Sequence, residues 1–202
     1  MRISDGDRDG LMFVPKSYKP GVPTPLLVML HGLGGSAEGA RFVFPIAEEL
    51  GVIVIAPESR GITWGQEAPG FDSDVRYIGE AFREVTQYLT IDPARVGLGG
   101  VSDGATYAFA MGLAYGDRFN HLLIFASSMM APLRKQGKPH IFIAHGTNDT
   151  QMPIDRTARR VVPQLEEEGY DVIYHEHEGG HGAPRPLVRE AMEWLVRTPV
   201  DR

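Results

Sequence analysis

Apolar runs recur along the chain at intervals set by glycine, proline and polar turns. Leu26 to Leu30, Val52 to Ile55, Val96 to Leu98, Leu122 to Phe125, Ile141 to Ala144 and Val172 to Tyr174 are short and mostly continuous. A strand with one wet face alternates apolar and polar residues, so continuous runs predict strands covered on both faces. A weaker strand is expected over Leu11 to Val14. Between the runs the apolar spacing shifts to three and four. Asp74 to Leu89 aligns Val75, Ile78, Phe82, Val85 and Leu89 on one stripe, and Ala105 to Tyr115 is small and apolar nearly all round, which predicts a buried helix. Ile154 to Glu168 is amphipathic with a kink expected at Pro163, and Arg185 to Arg197 closes the chain. Strand and helix alternating throughout predict the α/β class: a mostly parallel sheet with helices on both faces, in a single domain spanning 1–202.

Composition narrows the chemistry. With 43% hydrophobic residues in 202, a core can form without staples, and the absence of cysteine removes disulfides, thiolate metal sites and a thiol nucleophile. A net charge of −6 argues against a nucleic-acid partner. The densest basic group, Arg156, Arg159 and Arg160, precedes three glutamates and reads as a solvated helix face. No run approaches the roughly 18 apolar residues that span a bilayer. Met1 to Gly10 is polar and acidic, unlike a secretory signal, so a cytoplasmic protein without membrane association is expected. No pattern indicates a homo-oligomer.

Four segments carry chemistry. Gly100-Val101-Ser102-Asp103-Gly104 lies between the strand at Val96 and the helix at Ala105. A Gly-x-Ser-x-Gly string alone is weak, but between strand and helix it describes a sharp turn that presents a serine hydroxyl at a helix N-terminus. The plainer alternative makes Ser102 a helix N-cap. Upstream, the first long strand ends in His31-Gly32-Leu33-Gly34-Gly35-Ser36, whose glycines let backbone amides turn inward, toward an oxyanion. The ending that a phosphate loop requires is absent. The Leu33 and Asp103 amides are the expected oxyanion donors.

A serine nucleophile needs a histidine base and a carboxylate to orient it. His181, in the glycine-rich loop Glu178 to Gly182, can reach back over the strand ends. Asp149, in His145-Gly146-Thr147-Asn148-Asp149, follows the strand Ile141 to Ala144; Asp155 is the rival acid, although it reads as the start of the next helix. A metal site of His175, His177 and His181 is the alternative use of those imidazoles, but the spacing matches no metal motif, and neither metal nor cofactor is expected. Trp64, Met152 and Ile154 lie after strand ends and are candidate substrate contacts; packing beneath a loop is the competing role for Trp64.

With these segments in order over nearly the whole chain, the sequence resembles the compact phospholipase/carboxylesterase group of α/β-hydrolases. It is similar to small bacterial esterases, dienelactone-hydrolase-like enzymes and acyl-protein thioesterases. The matching segments are Leu30 to Gly35, Gly100 to Gly104, His145 to Asp149 with Met152-Pro153-Ile154, and Gly179-Gly180-His181. The resemblance implies an α/β-hydrolase fold and a Ser102-His181-Asp149 triad hydrolysing a small-molecule ester through an acyl-enzyme. Acyl thioesterase, lysophospholipase or peptidase activity would share that machinery, and a non-catalytic binding module would share the fold. Two features depart from the group. Asp103 stands where relatives often carry glutamine, methionine or histidine, and no insertion is long enough for a substantial lid. An open site for short- to medium-chain or small soluble esters is therefore expected.

Overall fold

A computed structural model describes residues 2–3, 10–65, 73–129, 132 and 134–198. The strands are β1 (Arg2–Ile3), β2 (Gly10–Phe13), β3 (Thr24–Leu30), β4 (Ile53–Ala56), β5 (Ile91–Val101), β6 (His121–Phe125), β7 (His140–Gly146) and β8 (Val172–His177). They form one sheet in the order β1-β2-β4-β3-β5-β6-β7-β8. β2 pairs antiparallel with β1 and β4; every other pairing is parallel.

The helices are α1 (Phe44–Leu50), α2 (Ser73–Tyr88), α3 (Asp103–Ala114), α4 (Ala158–Glu167) and α5 (Arg185–Arg197). β3 shows why its run is continuously apolar. Leu26, Val28 and Leu30 face a cluster with Ile78, Phe109 and Leu165 on the α2, α3 and α4 side, while Leu27 and Met29 face Ile46, Met192 and Leu195 on the α1 and α5 side. Both faces are dry, and burying each such side chain stabilises the fold by roughly 1.5–3 kcal/mol.

Three elements differ from the expected pattern. The helix expected over Ile154 to Glu168 is two pieces, a 3-10 turn over Ile154–Arg156 and then α4. Thr157 breaks it at φ −122°, ψ −103°, where its hydroxyl donates to the Pro153 carbonyl at 3.1 Å. α4 then runs through Pro163, and Thr157 restarts the helix by accepting the Arg160 and Val161 amides. β5 extends well before Val96 because Thr24 pairs with Ile91 across an irregular register. α1, only seven residues long, has too little sequence to display a period.

One buried histidine makes the fold sensitive to acid. His121 opens β6 with no exposed surface, lies edge-on to Trp194 at 4.8 Å and is 2.9 Å from Asn120 Oδ1. Burial pushes its pKa down to about 4, against an ordinary 6.5. Between those values the unfolded chain binds a proton that the folded chain refuses, so stability falls as pH drops through this window. The urea midpoint of wild type should therefore fall more steeply from pH 6.5 to 4 than that of His121→Gln. Parallel curves would remove His121 from the account.

Candidate active site

β5 delivers the chain to Ser102 in a conformation that L-residues rarely adopt, φ 59°, ψ −121°, and α3 starts at the next residue. The backbone packs so closely here that a Cβ on Gly104 would lie 2.3 Å from the His31 carbonyl oxygen, and one on Gly100 would lie 2.4 Å from the Gly104 carbonyl carbon. The two glycines are thus required by close approach. The turn is held by the Ser102 amide, which donates to Phe125 O at 3.0 Å, and by the Ser102 carbonyl, which accepts the Thr106 amide at 3.0 Å.

His181 and Asp149 meet this serine at the same edge of the sheet. His181 Nε2 is 2.7 Å from Ser102 Oγ, and His181 Nδ1 is 2.8 Å from Asp149 Oδ2. A carboxylate only accepts, so Nδ1 carries the proton and Nε2 is left to accept from the serine hydroxyl. The other carboxylate oxygen, Oδ1, accepts the amides of Gln151 and Met152 at 2.9 and 2.8 Å. Burial alone would raise the Asp149 pKa, but the Met152 amide, His181 and the Gln151 amide together outweigh it and lower the value. Asp155, the rival acid, is exposed and bound to Arg159 Nη1 at 2.8 Å.

The His-Gly-rich loop is fastened from below. His31 Nδ1–H donates to the Gly32 carbonyl at 2.8 Å, and Nε2 accepts the Ser59 amide at 3.1 Å. The Gly34 amide bonds to Ile62 O and the Gly35 amide to Gly32 O, each at 3.0 Å. Among the described residues the Leu33 and Asp103 amides donate to nothing. Gly32 is close to the serine, since a Cβ on it would lie 3.6 Å from Ser102 Cβ. Two unpartnered N–H groups thus belong to the residue after Gly32 and the residue after Ser102.

The Asp103 carboxyl is engaged by the loop after β4. It accepts the Thr63 hydroxyl and, at 3.5 Å, the Trp64 amide. Burial raises its pKa, with the Trp64 amide pulling the other way. Asp74 of α2 anchors the same loop through the amides of Arg60 and Gly65 at 2.7 and 2.8 Å. Trp64 itself is packed under the His-Gly-rich loop: its indole N–H donates to the His31 carbonyl at 2.8 Å, and its ring meets those of His31 and Tyr107. Ile154 is buried; Met152 is half-buried and serves the site through its backbone.

A cavity of about 370 Å³ opens beside the serine, bounded by Leu33, Phe42, Val101 and Ala183. Trp64, Met152 and Ile154 do not line it. Phe42 and Ala183 carried no sequence signal, because only the fold brings the 3-10 turn over Ala37–Val43 beside the loop after β8. Also unforeseen is His145, fully buried beneath Asp149. Its Nε2–H donates to the Met152 carbonyl at 2.7 Å and lies 3.3 Å from Asp149 Oδ2, which holds the acid loop from behind. The histidines weighed as metal ligands are separately engaged. His175 Nε2 is 3.1 Å from Glu190 Oε1, and His177 Nδ1 accepts the Gly179 amide. No cluster of three metal-ligating side chains occurs among the described residues, nor is any described helix long and apolar enough to cross a membrane.

The sheet order, the two helical layers and the strand-serine-helix turn define the α/β-hydrolase fold, and solved structures agree. No family model and no curated protein matches the chain. Similar structures include the Staphylococcus aureus fluorophosphonate-binding serine hydrolase FphF, at TM-score 0.76 and 17% identity over 94% of this chain and 92% of that one. The Bacillus cereus carboxylesterase matches at TM-score 0.71 and 21% identity, over 96% and 95% of the two chains. YahD, solved with malic acid, matches at TM-score 0.70 and 18% identity over 94% and 98%.

Proposed function

We propose that the protein is a serine hydrolase of carboxylic esters, with Ser102 as nucleophile, His181 as base and Asp149 as the orienting acid. The observation that carries this reading is the unbroken hydrogen-bonded chain from Ser102 Oγ through His181 to buried Asp149, beside two unpartnered amides. As Ser102 Oγ attacks the ester carbonyl carbon, His181 Nε2 takes its proton. The carbonyl oxygen becomes an oxyanion and is held by the Leu33 and Asp103 amides, donors that need no reorganisation. Collapse of that intermediate breaks the bond to the alkoxy oxygen, which leaves with the proton from His181. Water then attacks the acyl-serine and gives a proton to Nε2; the acid departs and Ser102 recovers its hydrogen. Asp149 stays ionised throughout, matched to the positive charge that His181 gains.

The cavity bounded by Leu33, Phe42, Val101 and Ala183 suits a small apolar arm of the ester. Phe42→Ala should raise KM for p-nitrophenyl butyrate about tenfold, the low end of what a pocket contact contributes because the ring is partly exposed. It should leave covalent labelling of Ser102 intact. The whole reading is tested with a fluorophosphonate probe and peptide mass spectrometry. An adduct on Ser102, with turnover of a panel of esters of graded chain length, is expected. An unlabelled, folded protein would instead favour a binding module. Thioesters in the same panel separate ester from thioester preference, since the leaving group is chosen by pocket shape.

A further inference from the structure

We propose a second recognition element: the cleft between α3 and α4 binds the carboxylate or phosphate of a small organic anion. This cleft, about 280 Å³, is lined by Arg156, Arg160, Lys135 and Glu168 around an apolar floor that includes Phe109. Its charges do not cancel. Lys135 is matched by Glu168, Nζ to Oε2 at 2.5 Å. Arg159, the middle member of the basic group, is turned away to Glu176 and Asp155 at 2.5 and 2.8 Å. Arg156 and Arg160 are left, and among the described residues the guanidinium group of neither has a carboxylate or hydrogen-bond partner. On a chain of net charge −6, that leaves two uncompensated guanidinium groups on one concavity.

A low-dielectric floor concentrates their field within the cleft. The planar donor forks of guanidinium match the paired oxygens of carboxylate and phosphate, which a point charge such as ammonium does not. The cleft also adjoins the candidate active site. Ser128, on its wall, is 3.0 Å from Thr106 Oγ1, which in turn donates to the Ser102 carbonyl at 3.2 Å. Arg156 lies in the turn that follows the Asp149 loop. An anion held here would therefore sit on the flank of α3 below Ser102, away from the apolar cavity beside Phe42.

The test titrates succinate and inorganic phosphate calorimetrically, at fixed ionic strength, into wild type, Arg156→Gln/Arg160→Gln and Arg159→Gln. Wild type and Arg159→Gln should bind one of the anions saturably, and the double variant should bind it about tenfold or more weakly, as expected on losing charge-assisted bonds. Melting curves establish that each variant is folded. A wild type that binds neither anion, or a folded double variant that binds as tightly, overturns the proposal.

A kinetic arm rests on the reading of Ser102 as nucleophile and compares p-nitrophenyl hemiadipate with the neutral hexanoate. A fall of about tenfold in the double variant, confined to kcat/KM for the hemiadipate, places the anion on the substrate. An unchanged ratio alongside lost calorimetric binding assigns the cleft to a free anion. Fluorophosphonate labelling of wild type keeps the two claims apart: failure to label Ser102 refutes the hydrolase reading and leaves the calorimetric result standing.

Discussion

Ser102→Ala should lower kcat for a p-nitrophenyl ester on the order of 10⁶-fold, the loss seen when a serine nucleophile is deleted from a working triad. On the proposed mechanism the residual rate should come from the untouched Leu33 and Asp103 amides, since backbone donors survive side-chain deletion. A second substitution separates chemistry from strain. Ser102 holds φ 59°, a conformation that costs an L-residue about 1–3 kcal/mol and glycine almost nothing. Alanine inherits that strain and glycine relieves it, less the roughly 0.5–1 kcal/mol that glycine loses through the freedom of its unfolded chain. Ser102→Gly should therefore be as inactive as Ser102→Ala yet more stable by about 1 kcal/mol in urea denaturation. Turnover of Ser102→Ala within tenfold of wild type would end the assignment. Equal stabilities would show that the strain at Ser102 is no larger than the roughly 0.5–1 kcal/mol that glycine loses.

The site was legible where local backbone chemistry is written in a few adjacent residues. Gly100 and Gly104 announce a turn that admits no Cβ, and the glycines after His31 announce a tight loop, in which the Leu33 amide is left without a partner among the described residues. Asp149 and His181 follow β7 and β8, so their shared edge follows from parallel topology alone. Illegible were features that depend on distant segments. Phe42 meets Ala183 across the cavity only after the sheet forms, and His145 looks like any strand-end histidine until the Met152 carbonyl closes over its ring.

The basic group at Arg156 illustrates the same limit. Its sequence reads as one solvated face, but the break at Thr157 and the pull of Glu176 on Arg159 separate that residue from Arg156 and Arg160, which line the cleft instead. Asp103 shows how the structure absorbs an unusual residue. A carboxylate next to Ser102 would oppose an oxyanion formed there. It instead accepts the Thr63 hydroxyl and the Trp64 amide, and its own amide is left without a partner among the described residues.

Asp149→Asn should lower kcat about 10⁴-fold, the cost of orienting a triad histidine wrongly. The amide can be accommodated in only one sense. Oδ1 accepts two backbone N–H groups, from Gln151 and Met152, so the asparagine oxygen must stay on that side and its NH₂ must face His181. Two donors then confront each other at Nδ1, and His181 answers by moving its proton to Nε2, where it can no longer receive one from Ser102. Fluorophosphonate labelling of Ser102 should slow in parallel with turnover, while KM changes little.

Acid should act on the same carboxylate in wild type. Its folded pKa lies below the ordinary 3.8, so its stabilising contribution is fully present above 3.8 and is lost as pH falls through the lower folded value. Asp149→Asn lacks that dependence and should show a shallower loss of stability below pH 3.8. Asp155→Asn provides the contrast. Its exposed carboxylate pairs with Arg159, and its removal should leave kcat within twofold of wild type. If Asp155→Asn proved the slower enzyme, the acid would have to be reassigned and the histidine's orientation explained without Asp149.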